Sequence, residues 1–261
     1  MRNILLLAAL LAATPAFAEE REFCPSRPDL GRPACTIAPG HVSVETALAD
    51  WTLEKDRDGR TDTVLIGDTL VRVGLTNTIE AQIGWTPYGH VRDTASGAVE
   101  TRGRAGDVTL GAKINLQNPD GKGLSAAVRP FVTVPVGRMP VGFGDWGAGM
   151  TAPVSYELNQ TLKLQITPEI EAAVDKDGHG RHFATSGTLG LGVELTKTLT
   201  ATVEGQVLRD DDPEQKTTQA FGALSLAWMV GKTVQLDIGG IAGLNHDTPD
   251  AELYLGISRL F

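Results

Sequence analysis

The sequence predicts an all-β protein, a twelve-stranded antiparallel up-and-down barrel that crosses a membrane. Three observations predict it: polar and apolar residues alternate in segment after segment, the segments are long, and their connections are short and long by turns. In TIEAQIGW (residues 78–85), Ile79, Ala81, Ile83 and Trp85 share one face while Glu80, Gln82 and Gly84 share the other. In TLKLQITPEIEA (161–172), Leu162, Leu164, Ile166 and Ile170 alternate with Lys163, Gln165, Thr167, Glu169 and Glu171. DVTLGAKINL (107–116) and TLTATVEGQV (198–207) read the same way. A period of two marks strands, because successive side chains of an extended backbone point to opposite faces, and no comparable helical period of 3.6 competes with it.

The connections alternate in kind. Short ones are expected at Thr76-Asn77, Asn159-Gln160, Thr196-Lys197 and Gly231-Lys232, with a longer polar one from Gln117 to Gly123. Between them fall charged or glycine-rich stretches expected as long loops: Lys55 to Thr61, Val91 to Ala105, Gly137 to Gly147, Asp175 to Phe183, Asp210 to Thr217 and His246 to Asp250. Five short turns and six long loops join twelve strands. Soluble strands run about five or six residues, whereas a tilted strand crossing a bilayer needs about nine to eleven. Segments of about eleven to fourteen residues are therefore of membrane length. A long meander must also close on itself, or it leaves two unpaired edges. A soluble sandwich or lipocalin-like barrel is the alternative, but the polar faces carry charges in nearly every strand and no helix is available to cover them.

The organisation follows from the ends. MRNILLLAALLAATPAFA, residues 1–18, joins Arg2 to an apolar run from Ile4 to Ala13 and closes on Ala16-Phe17-Ala18, the pattern of a cleaved secretory signal peptide. Residues 19–40 form a proline-rich segment, with prolines at 25, 28, 33 and 39 that prevent a regular strand. This segment is expected to be a plug in the barrel mouth or a stub below it. Residues 41–261 are the barrel, and both its ends are expected on the periplasmic side. Cys24 and Cys35, the two cysteines of an exported chain, are expected to form a structural disulfide. A net charge of −9 without clustered Lys and Arg argues against nucleic acid as a partner. No cofactor is expected.

The ending YLGISRLF (254–261) resembles the C-terminal signal of Gram-negative outer-membrane proteins, in which a terminal Phe and alternate hydrophobic residues are read by the barrel-assembly machinery. Leu253, Leu255, Ile257 and Phe261 match that pattern, and Arg259 departs from it. A charge near the membrane rim costs only about 0 to 1 kcal/mol. FCPSRPDLGRPACTIAPGHVSVE (23–45) resembles the start of the "transporter" family of outer-membrane proteins, some of which are labelled for a phenol-degradation pathway. That resemblance implies location in the Gram-negative outer membrane and passage of a small molecule. It supplies no residue-level motif.

Assigning the apolar parity to lipid puts Asp68, Arg72, Glu80, Gln82, Asp107, Lys113, Arg129, Glu157, Lys163, Glu169, Glu171, Glu194, Glu204 and Asp237 in the lumen. Nine of these are acidic and four basic, so the expected function is a passive, cation-preferring pore or transporter for small solutes. The alternative is a salt-bridged, filled lumen in a structural or surface-binding barrel, because twelve strands fall between the closed and open sizes. Asp175, Asp177, His179 and His182 share one long loop and could hold a divalent cation, but they lack the spacing of a calcium loop. The acidic residues at 210–212 and 56–58 are expected as exposed loops, where divalent ions shared with lipopolysaccharide could sit. A barrel lipid hydrolase would need a nucleophile beside a histidine base. His90, His179, His182 and His246 fall in expected loops and His41 begins the first strand; Ser186 is the only strand serine within a few residues of His182.

Overall fold

The computed structural model describes residues 21–57 and 59–261. The expected signal peptide, its cleavage point and Asp58 lie outside the described residues. The first half of the chain forms β1 (Val42–Lys55), β2 (Gly59–Ile66), β3 (Asp68–Gly74), β4 (Ile79–Trp85), β5 (Tyr88–Ala95), β6 (Ala98–Arg104), β7 (Val108–Gln117) and β8 (Leu124–Val134). The second half forms β9 (Gly147–Thr151), β10 (Val154–Glu157), β11 (Leu162–Val174), β12 (Arg181–Thr196), β13 (Leu199–Asp211), β14 (Lys216–Met229), β15 (Val234–Gly243) and β16 (Ala251–Leu260).

These segments make a closed antiparallel barrel of 12 strands, because four strands are each broken once. Gly67 separates β2 from β3, Pro87 separates β4 from β5, Gly106 separates β6 from β7, and Pro153 separates β9 from β10. Proline lacks the N–H a ladder needs, and glycine tolerates the φ of +74° found at Gly67. Closure is made by β1 and β16, which pair from Ser43↔Leu260 to Leu53↔Ala251. No strand edge is then left along the seam, as a bilayer requires.

The interior is polar and the surface apolar. Arg72, Glu80, Lys113 and Ser43 have no exposed surface, whereas Leu189, Val203, Leu224, Ile238 and Leu253 are each more than half exposed. This inverts a soluble core and fits a barrel whose outer face meets lipid.

One expected loop is a strand hairpin instead, and two others are shortened by strand pairing. Val91 to Ala105 continues the antiparallel pairing as the β5–β6 hairpin, closed by Ser96 and Gly97 at φ 51° and 82°. Positive φ at both central residues is the type I′ turn, whose twist suits two paired strands. Arg92, Asp93, Glu100 and Arg102 made this stretch look like a loop, but β6 is exposed along its whole length, so its charges sit in water. Likewise β1 and β2 pair out to Lys55↔Arg60, which shortens the expected Lys55–Thr61 loop. β13 and β14 pair out to Asp211↔Lys216 and shorten the loop after Asp210.

Candidate solute passage

Residues 21–40 run inside the barrel from the short-turn end, and the wall side chains receive their backbone N–H groups. Ser26 N–H donates to Glu45 Oε2 at 2.7 Å. Leu30 and Gly31 N–H donate to the two oxygens of Glu204 at 2.6 and 2.8 Å. Arg32 N–H donates to Thr167 Oγ1 at 3.0 Å, and Ile37 N–H to Glu80 Oε2 at 2.7 Å. A segment rich in proline cannot join the sheet, so its remaining donors need such acceptors when buried. The Cys24–Cys35 disulfide ties this segment to itself.

Charged wall residues hold it from below. Arg72 lies fully buried and donates to Glu80 at 2.8 Å, to Glu45 at 2.9 Å and to the Cys24 carbonyl at 2.7 Å. Lys113 Nζ donates to the carbonyls of Pro33 and Cys35 at 2.9 and 3.1 Å and stands 3.6 Å from Glu80. Asn115 donates to Ala34 O at 2.9 Å. On the far side, Arg27 pairs with Asp237 at 2.8 Å, and Tyr254 Oη donates to Pro28 O at 2.9 Å. Gly256 lies against the Arg27 guanidinium, and a Cβ there would collide with it, so glycine makes room for this anchor.

Beyond the segment, towards the long-loop end, lies a cavity of about 410 Å³. Arg27, Asp29 and Arg32 of the segment line one side, Asp68, Thr109, Arg129 and Thr133 the wall, and Val141 and Phe143 the loop that folds over it. Asp107 pins that loop by accepting N–H bonds from Gly137 and Phe143, both at 2.7 Å. The neighbouring Asp145 accepts from Arg181, whose guanidinium lies 3.7 Å from the Trp146 ring. The Trp146 N–H, with Arg181 second, holds the Asp145 carboxyl below the usual aspartate range.

The structure thus gathers Arg72, Glu80, Gln82, Lys113, Arg129, Glu204 and Asp237 into the buried interior, with Glu169 and Glu171 half-buried in the wall. Asp68, Glu157 and Glu194 are exposed at breaks or ends of strands. Glu157 accepts from Gly123 N–H at 2.7 Å, and Lys163 donates to Gly121 O at 2.8 Å, so both stay with the short-turn rim. Sequence reasoning missed Glu45, Asp50 and Glu252. Glu45 was legible, since Ser43 and Glu45 alternate with Val42 and Val44. Asp50 was not, because a register shift between Ala47 and Ala49 reverses the parity of β1.

The loop histidines separate. His182 meets Asp175, Asp210 and Asp212, whereas Asp177 bonds the N–H of the exposed His179. Ser186 lies four residues from His182 along β12, about 13 Å at some 3.3 Å per residue, and both His182 nitrogens face carboxylates.

The profile of a family described as "Putative MetA-pathway of phenol degradation" matches residues 26–260. No curated protein matches the chain. Among solved structures, the COG4313 outer membrane channel from Pseudomonas putida F1 superposes with a TM-score of 0.72 at 13% identity, over 93% of this chain and 98% of that one. The KdgM porin gives 0.52 at 9% identity, over 84% and 99%. The transport unit of the autotransporter AIDA-I from Escherichia coli gives 0.52 at 9%, over 99% and 96%. At these identities the likeness is one of fold, that of outer-membrane barrels.

Proposed function

The chain belongs to the phenol-degradation MetA-pathway family, and from that membership and the built interior we propose that it is a passive passage for small solutes across the outer membrane. In this reading the long loops face outward, residues 1–18 are removed on export, and residues 21–40 are a plug held in the lumen. Lipid and lipopolysaccharide surround the barrel, and the assembly machinery reads its C-terminal strand.

The single observation that carries the reading is the cavity of about 410 Å³ between the long loops and the N-terminal segment. A barrel built only as a filled pillar has no use for a polar chamber lined by Arg32, Arg129 and Thr133. The plug is held by separate hydrogen bonds to separate wall residues, so it can loosen locally without unfolding the barrel. Channels and porins of the same fold support a non-enzymatic role.

One observation favours the filled-barrel reading: Arg72, Glu45, Glu80 and Lys113 are fully buried and close the short-turn half. Liposome swelling decides between the two. Purified barrel in vesicles should admit the smallest sugars and amino acids and exclude larger ones. Vesicles that swell no faster than protein-free controls with every solute would leave the filled barrel as the function.

A further inference from the structure

His182 is the second residue of β12, at the long-loop end, and its side chain is only 5% exposed. Three carboxylates surround the ring. Asp175 Oδ1 lies 2.8 Å and Asp212 Oδ2 3.6 Å from Nδ1, while Asp210 Oδ1 lies 2.7 Å from Nε2. A neutral imidazole carries one N–H. Whichever nitrogen holds it, the other has a carboxylate oxygen at 2.7 to 2.8 Å and no proton to share with it, which is repulsive. Nε2 is moreover buried and makes no aligned hydrogen bond. The arrangement therefore calls for a positive charge among these groups, either a second proton on the ring or a bound cation.

The donor geometry favours a cation. Asp175, His182 and Asp212 each offer one ligand atom, and these atoms lie within 4.8 Å of one another. Zinc bonds to nitrogen and oxygen are about 2.0 to 2.2 Å, which sets tetrahedral donors about 3.4 Å apart. The 3.6 Å between Nδ1 and Asp212 Oδ2 is close to that spacing, whereas Asp175 Oδ1, now 2.8 Å from Nδ1, would draw back slightly to share the ion. Asp212 is also fixed in advance: Lys176 N–H donates to its Oδ2 and Glu214 N–H to its Oδ1, both at 2.7 Å. A second proton would offset one of three carboxylate charges, whereas a divalent ion offsets two.

We propose that Asp175, His182 and Asp212 form a binding site for a borderline divalent cation of the zinc class, with Nδ1 as the nitrogen ligand and the Asp210 carboxylate beside Nε2. Mixed imidazole and carboxylate donors suit zinc, copper or nickel, whereas calcium and magnesium take oxygen donors. The Asp210 carboxylate, 2.7 Å from Nε2 though out of line for a hydrogen bond, occupies the place from which a second carboxylate orients a metal-bound histidine. Such an ion would staple the loop after β11 to the loop after β13. It differs from the grouping the sequence suggests, since it excludes Asp177 and His179 and recruits Asp212 from another loop.

The test uses the exported, tag-free barrel in detergent, stripped of metal with a chelating resin. Titration with Zn²⁺ by calorimetry and with Co²⁺ by visible absorption should each give one site per chain, with the intense band of four-coordinate cobalt. His182→Ala and Asp212→Asn should each weaken binding at least tenfold, while Asp177→Asn and His179→Ala leave it unchanged. Heat-modifiable migration on a gel confirms that each variant is a folded barrel. If His182→Ala does not fold, His182→Gln and Asp212→Asn carry the same comparison. A wild-type barrel that takes up neither ion overturns the proposal and leaves a doubly protonated ring as the source of charge. Binding that survives the His182 and Asp212 substitutions overturns it equally.

Discussion

Arg27 and Asp237 are 210 residues apart in sequence and form an ion pair at 2.8 Å, with the aspartate side chain fully buried. The first belongs to the N-terminal segment and the second to β15, so this pair fastens the segment to the wall. Removing one partner leaves the other charge buried and unpaired, which costs about 3–5 kcal/mol. Arg27→Ala should therefore lower the urea midpoint of the barrel, and Arg27→Ala with Asp237→Asn should recover part of the loss. A single variant as stable as wild type would mean that the pair does not hold the segment.

Arg72 is the centre of the short-turn half, donating to Glu80, Glu45 and the Cys24 carbonyl without touching solvent. Arg72→Met keeps much of the volume but leaves Glu45 without its cation and Glu80 with only Lys113 at 3.6 Å, so a loss of about 3–5 kcal/mol is expected. The readout is the fraction of heat-modifiable barrel after refolding. Adding Glu45→Gln and Glu80→Gln to Arg72→Met should restore part of it, because the unpaired charges are then gone.

Glu169 and Glu171 stand on β11 at the same parity, half-buried in the wall. If they line a narrow passage with low-dielectric walls, their charge would be focused and would enrich cations. Replacing both by Gln keeps shape and removes charge. The cation preference, measured as the reversal potential in a salt gradient, should fall, and the difference should shrink towards 1 M salt, where screening acts within about 3 Å. A conducting barrel whose reversal potential ignores the substitution would place these side chains away from the ion path.

Phe261 closes the seam: its N–H donates to Val42 O at 2.8 Å and its carbonyl accepts from Val42 N–H at 3.1 Å. Its ring also lies 4.6 Å from the Arg259 guanidinium, on the lipid face where Leu253 and Leu255 are exposed. Deleting Phe261 should lower the folded population in the outer membrane without changing the amount synthesised. Boiled and unboiled samples compared on a semi-native gel check this, and undiminished folded barrel in the deletion would remove the role assigned to the last residue.

The barrel was legible because its rule is local. Leu162 to Ile170 repeats every second residue, and every strand that crosses lipid must do the same. The rule failed where lipid no longer imposes it. Above the membrane, Arg92 to Arg102 is free to carry charges on both faces, so a hairpin reads as a loop. At Ala47–Ala49 one extra residue inverts the parity and hides Asp50. The interior was half legible. Arg72, Glu80 and Lys113 could be assigned to the lumen one by one, but their partners are carbonyls of Cys24, Pro33 and Cys35 in a segment with no periodicity. Asp212 lies across the β12–β13 hairpin from His182, but a register shift between Glu194 and Thr196 offsets any count made from the turn, so their meeting was not read from sequence.

The central claim is that small solutes and ions pass through this barrel under the control of residues 21–40. Single-channel conductance in a planar bilayer tests it most directly, comparing the wild-type barrel with one that keeps residues 1–20 but lacks residues 21–40. The wild type should show small, discrete openings, and the deletion should conduct several-fold more, since the donors of Ser26, Leu30, Gly31 and Ile37 no longer hold a segment across the lumen. A folded deletion barrel that is as silent as a silent wild type, or that conducts no more than a conducting one, would contradict the account.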